Sequence, residues 1–224
     1  MSGQDPDELT LAQLLCSRVC HDLVGPVGAV NTAVELMADG DSGMDKEAFA
    51  VLERSVREAG IRLAFFRTAF GFGGGTDTPL GIANIMELVG AMAPAGKVAF
   101  EHDVISETGA NPSALPGYAG KLALVLGLIG IDALPRGGSL SLHVAQLQDG
   151  IGLGIRAEGP GAAIKDNVRG VLDAAVSDAP SGPAIDARNV HAHLAWRLAT
   201  RLSARLEVSS ETDSIGIATL IPTP

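Results

Sequence analysis

Apolar residues in the first third of the chain fall into two stripes of one period. Cys16, Cys20, Leu23, Val27, Val30, Val34 and Met37 are separated by alternating steps of four and three. Phe49, Leu52, Val56, Ala59, Leu63, Phe66 and Phe70 alternate three and four without a slip. A mean step of about 3.5 residues gathers such positions into one seam of a helix and points that seam at a partner helix. The first helix is predicted to begin after Asp5-Pro6-Asp7, where acids suit the positive end of the helix dipole. It is predicted to stop in the turn-rich stretch 38–43. The second ends in Gly71-Phe72-Gly73-Gly74-Gly75-Thr76, where glycine backbone entropy opposes continuation. Two long helices joined by a short turn make a hairpin whose seam is left open. The seam can close against a second hairpin, as a dimeric four-helix bundle, or against the remainder of the same chain.

Past the glycine-rich stretch the pattern changes. Helices are predicted over 84–93, 121–134 and 187–203, the last with Leu194, Leu198 and Leu202 on one side. Strands are predicted over 97–104, 140–147, 151–157, 205–209 and 215–221, with Gln148-Asp149-Gly150 as a hairpin turn. Antiparallel strands interleaved with helices give a sandwich with helices on one face. The expected fold class is therefore α plus α/β. It comprises a helical-hairpin dimerisation domain over 1–73 and an α/β domain over 77–224.

Composition narrows the partners. The 224 residues carry a formal charge of −10, with a pI near 4.8 and 4% aromatics. Nucleic-acid binding needs a basic surface to displace phosphate counterions, so DNA and RNA are excluded as expected partners. No apolar run approaches the roughly 20 residues of a membrane span, and the acidic start differs from a secretory signal. A soluble, cytoplasmic chain with no membrane association is expected. Cys16 and Cys20 are too few for a disulfide framework or a zinc site and are expected to be buried, reduced thiols.

The chemistry concentrates at Cys20-His21-Asp22-Leu23-Val24-Gly25-Pro26. With Cys20 and Leu23 in the seam, His21 falls beside it, on the rim of the bundle. A rim imidazole is exposed, fixed by helix backbone and accessible to a docking protein. Those are the needs of a phosphoryl acceptor, whose neutral imidazole nitrogen must attack in line. Asp22 can orient the ring or receive a proton. Pro26 removes a helix hydrogen bond and crowds the carbonyl of Asp22, at a cost of about 3 kcal/mol. Such a local conflict marks a functional site. His102, His143, His191 and His193 are expected to be ordinary structural or surface residues; His191 and His193, two apart, cannot clamp a metal as an i, i+4 pair does.

Three segments resemble the ChpT-type histidine phosphotransferases of alphaproteobacteria. They are Cys20-His21-Asp22-Leu23, the stretch from Arg62-Leu63 to Phe66-Arg67-Thr68-Ala69-Phe70-Gly71, and Asp132-Ala133-Leu134-Pro135-Arg136-Gly137-Gly138. The first helix also resembles the H-box of sensor histidine kinases. This resemblance implies a dimeric bundle with His21 phosphorylated and Asp22 as its acidic neighbour. It also implies a C-terminal domain with the fold of a kinase ATP-binding domain that does not use ATP. The implied partners are a second copy, the receiver domain of a hybrid histidine kinase, and the receiver domains of CtrA-like and CpdR-like response regulators in cell-cycle control. Docking contacts are expected from Arg18, Val24, Gly25 and Arg62, with Mg²⁺ held by the receiver and no metal or cofactor here.

The residues themselves argue against nucleotide use. Leu128 and Asp132 stand where a kinase domain has Mg²⁺-binding asparagines, and leucine offers no oxygen ligand. Ala157-Glu158-Gly159-Pro160-Gly161 keeps the glycines of an adenine-binding box but lacks its leading aspartate, and reads as a plain turn. No glycine-rich lid follows; 178–183 holds only Gly182. The expected function is therefore a two-component phosphorelay step, in which His21 passes a phosphoryl group between receiver-domain aspartates. The alternatives are an ATP-dependent autokinase and a non-catalytic dimer that only binds receivers.

Overall fold

The computed structural model describes residues 6–38, 45–72, 78–177 and 184–223. Asp7 opens the first helix: its carboxylate accepts the Thr10 N–H at 2.7 Å, satisfying one of the orphan donors of the first turn. That bond also holds the Asp7 carboxyl below its ordinary pKa. Helix α1, Glu8–Ala38, runs through Pro26 without a break, and α2 is Asp45–Ala69. The two pack along each other as the predicted hairpin. The predicted turn after Ala38 and the boundary at 73–77 lie outside the described residues.

The face that α1 turns inward is not the seam. Arg18, Pro26 and Ala33 are buried on it, opposite an α2 face that buries Ala48 and Ser55. Val27, Val34 and Met37 of α1, and Phe49, Val56 and Leu63 of α2, stay exposed. Both cysteines are exposed as well, which corrects the expectation of buried thiols. They belong to the seam stripe, most of which the chain's own fold leaves facing outward, with Leu23 and Val30 half-buried. The last turns of α2 behave differently: Phe65, Phe66 and Ala69 enter the same core as the C-terminal part.

That part is a five-stranded sheet with helices on one face, as its pattern predicts. Its strands are β2 (Val98–Ser106), β4 (Gly138–Gln146), β5 (Gly150–Glu158), β6 (Glu207–Glu211) and β7 (Ser214–Pro222), ordered β2-β4-β5-β7-β6. Short β1 (Leu80–Gly81) and β3 (Ala114–Leu115) pair apart from it. Leu140, Leu142 and Val144 of β4, Leu153 and Ile155 of β5, and Ile215 and Ile217 of β7 alternate inward and are buried. One pairing departs from the antiparallel expectation: β2 and β4 are parallel. A parallel pair needs a crossover, and α4 (Gly117–Asp132) supplies it. Gly150 has φ +154, and a Cβ there would lie 2.0 Å from the carbonyl oxygen of Ile221, so the hairpin turn requires glycine.

Helix α4 is buried on almost every side, between α3 (Ile82–Met92), α6 (Val190–Arg201) and the sheet. Its glycines allow that approach: a Cβ at Gly127 would sit 2.8 Å from Val89, and one at Gly130 2.5 Å from Leu140. Helix α5, Asp166–Ser177, was absent from the sequence-based reading. No helix among the described residues is long and apolar enough to cross a membrane.

Candidate functional site

Helix periodicity places Arg18, Asp22 and Pro26, each four residues from the last, on the inward face of α1. His21 is offset by about 100° from Asp22 and turns outward, its side chain 79% exposed. His21 Nδ1 lies 3.1 Å from Asp22 Oδ1. An ionised carboxylate only accepts, so the Nδ1–H donates and Nε2 keeps its lone pair toward solvent. Asp22 is itself only 11% exposed, and its Oδ2 accepts Arg18 Nε–H at 2.8 Å.

Arg18 corrects a sequence expectation. Proposed from sequence as a docking contact, it is buried and committed within the chain. Its Nη2 donates to Asp132 Oδ2 at 2.9 Å, and its Nη1 to His191 Nδ1 at 3.2 Å. The reason is helical spacing: a residue three before an outward histidine and four before Asp22 shares the aspartate's inward face. A polar chain thus runs from the solvent-facing imidazole through Asp22 and Arg18 to α4 and α6. His191, expected to be ordinary, is part of it. Asp132 and His191 lie 114 and 173 positions from Arg18, beyond any local sequence signal. The Arg18–Asp22 step at i, i+4 was the one legible link.

Val24, Gly25 and Arg62 fall together where the sequence reading grouped them. With His21, Asp22, Pro26, Ala29, Arg54, Ser55 and Glu58 they line an open groove of about 470 Å³ between α1 and α2. Val24 is 69% exposed. Arg62 is half-buried, its Nε and Nη2 donating to Glu58 Oε1 at 3.1 and 2.6 Å. Pro26 is buried in the groove wall, and having no N–H it leaves the carbonyl of Asp22 without its helical donor. Of the remaining histidines, His102 and His143 lie on strands, and His193 is buried with its ring edge-on to Trp196 at 5.1 Å.

Burial, aided by the Arg18 charge, pushes the His191 pKa from 6.5 down to about 4. The folded state therefore keeps this ring neutral while the unfolded chain takes up a proton below about pH 6.5. Stability from this group is complete above that pH and is lost as pH falls toward 4. Between pH 7 and pH 5 the loss is expected to be about 2 kcal/mol. Urea unfolding of the wild type and of His191→Asn at both pH values checks this. The variant's pH-dependent loss should be smaller by that amount, and equal slopes would refute the assignment.

The residues around Asp132 do not fit a magnesium nucleotide. Leu128 is buried and has no oxygen donor. Asp132 already holds a cation, the Arg18 guanidinium, which would repel a second. Ala157 is buried within β5 between Leu140 and Ile215. The turn at Gly159-Pro160-Gly161 is spent on the chain itself: Gly159 N–H donates to the Asp213 carbonyl at 2.9 Å, and Gly161 N–H to Asp213 Oδ1 at 2.7 Å. The lid segment 178–183 lies outside the described residues.

Residues 82–214 match the family described as histidine phosphotransferase C-terminal domain. Over 136 residues the chain is 38% identical to the protein phosphotransferase ChpT of Brucella abortus (strain 2308), a match spanning 61% of each chain. A solved bacterial phosphotransferase superposes with a TM-score of 0.82 at 27% identity, over 98% of this chain and 100% of the other. The Acinetobacter baumannii histidine kinase AdeS overlaps more loosely, with a TM-score of 0.47 at 14% identity over 90% of this chain and 97% of its own.

Proposed function

We propose that this chain, which belongs to the histidine phosphotransferase family, carries a phosphoryl group on His21 and passes it between the aspartates of receiver domains without using ATP. The observation that carries the reading is the His21 ring itself. It is 79% exposed, with Nδ1 3.1 Å from Asp22 Oδ1, which leaves Nε2 as the nitrogen for attack.

The chemistry follows from that geometry. The Nε2 lone pair attacks the phosphorus of a receiver's aspartyl phosphate. The N–P bond forms as the P–O bond to the receiver breaks, and the receiver's aspartate leaves as a carboxylate. The ring keeps its Nδ1 proton and becomes a phosphorylated imidazolium, whose positive charge faces the Asp22 carboxylate. Transfer to a second receiver reverses each step. The groove beside His21, with exposed Val24 and the bare backbone at Gly25, leaves room for a partner surface to approach. Any Mg²⁺ belongs to the receiver's acidic pocket. The open seam of α1 and α2 supports a homodimer, in which two hairpins cover each other's stripes.

Two donors separate this reading from an autokinase. Incubation with a phosphorylated receiver domain should give acid-labile, base-stable phosphate on the chain, whereas radiolabelled ATP with Mg²⁺ should give none. Labelling by ATP alone would favour the autokinase. Receiver binding with no phosphohistidine at any time would leave only a binding module. CtrA-like and CpdR-like regulators, and a cell-cycle role, are part of the same proposal, tested by offering those receivers in turn.

A further inference from the structure

We infer that Arg18 is a positioning residue for phosphoryl transfer, holding Asp22 against His21 from an anchor formed by Asp132 and His191 in the C-terminal part of the chain. This rests on the relay reading of His21.

Arg18 uses three different nitrogens on three partners. Nε–H is on Asp22 Oδ2 at 2.8 Å, Nη2–H on Asp132 Oδ2 at 2.9 Å, and Nη1–H on His191 Nδ1 at 3.2 Å. A planar guanidinium fixes the directions of its donors, so anchoring two of them fixes the third. What the third fixes is the rotation of the Asp22 carboxylate. With Oδ2 bound to Nε, Oδ1 is left toward Nδ1 of His21 at 3.1 Å. That contact decides which ring nitrogen carries the proton, and so whether the outward Nε2 can attack.

The anchor lies outside the hairpin. Asp132 closes α4, and His191 stands in the first turn of α6. His191 is 1% exposed and Asp132 Oδ2 is held at 2.9 Å, so Arg18 is gripped by two groups that belong to different helices of the C-terminal part. The α/β part is therefore a frame that sets the side chain next to the phosphoacceptor, as well as any docking surface it offers. The carboxylate at a position the family resemblance links to metal binding serves a guanidinium instead. Neither Arg18 nor Asp132 lines the groove beside His21, so their effect should fall on the transfer step and leave receiver binding unchanged.

The chain in four forms tests this: wild type, Arg18→Met, Arg18→Lys and Asp132→Asn. Each is mixed with a phosphorylated receiver domain, and the single-turnover rate is followed against receiver concentration. The His21 tautomer is read from nitrogen-15 shifts. For Arg18→Met the limiting rate should fall about 10- to 100-fold, with half-saturation unchanged and the Nδ1–H preference of His21 lost. Arg18→Lys should not rescue, because an ammonium cannot make three directed contacts. Asp132→Asn, which keeps the shape but weakens the anchor, should give a smaller fall of the same kind, and it decides the matter if Arg18→Met does not fold. A wild-type limiting rate and tautomer in the folded variants would overturn the inference, as would a loss confined to half-saturation. Failure of the wild type itself to accept phosphate would sink the relay reading and this inference together.

Discussion

His21→Ala is expected to abolish phosphoryl acceptance, lowering transfer by about a thousandfold or more, while the protein stays folded. The loss is near total because covalent relay has no substitute for its carrier atom: His21 is the one imidazole on α1, and the amide nitrogens of Gln13 and Asn31 are not nucleophilic. The fold is spared because the ring is 79% exposed and its one hydrogen bond is to Asp22, which keeps its Arg18 partner. Truncation of such a surface side chain usually changes stability by about 0.5 kcal/mol or less. Circular dichroism and urea unfolding should overlay the wild type while transfer from a phosphorylated receiver vanishes. Undiminished transfer would show that another residue accepts the phosphate.

The second large effect concerns the seam. Val34→Glu combined with Val56→Glu should convert a dimer into a folded monomer. Val34 and Val56 are 51% and 55% exposed in the single chain, so a charge at either site meets water unless a second copy covers it. In a two-fold bundle each substitution counts twice. Stranding unpaired carboxylates in an apolar interface costs several kcal/mol, so dimer dissociation should rise by about a thousandfold or more. Light scattering after size exclusion reads the mass directly. An unchanged dimer mass would mean that copies meet elsewhere, and a monomeric wild type would remove the dimer from the account.

How much of this was legible in the sequence depends on how far apart the partners lie. Helix existence, the alternating inward residues of β4, β5 and β7, and the outward place of His21 all follow from periodicity within a few residues. The seam was legible as well. What the pattern left undecided is whether this stripe closes on a second hairpin or on the rest of the chain, and the cysteines on it were assigned to an interior that the single chain does not give them. The parallel pairing of β2 with β4 is a topological fact, invisible to period-two alternation. Helix α5 was missed although Val168, Val171 and Leu172 carry a helical spacing and are buried. Gly170 within it and the loop-like residues on either side outweighed that short signal.

The site divides in the same way. His21, Asp22, Val24, Gly25 and Arg62 are gathered on two adjacent helices and were found by motif and spacing. Arg18 was grouped with the helix surface around His21, but its i, i+4 relation to Asp22 turns it inward, where it is buried. Asp132 and His191 reach it across more than a hundred residues, and only the packing of α4 and α6 against α1 brings them there. The motif around Asp132 was recognised, but what it holds was not.

The most direct test of the central claim is to find where the phosphate resides. The chain is incubated with a phosphorylated receiver domain, quenched at alkaline pH, digested and mapped by mass spectrometry, with phosphorus-31 coupling to labelled nitrogen read on the intact protein. A single phosphoryl group on the His21 peptide, bonded to Nε2, is the predicted result. Phosphate on any other residue, or on none, contradicts it.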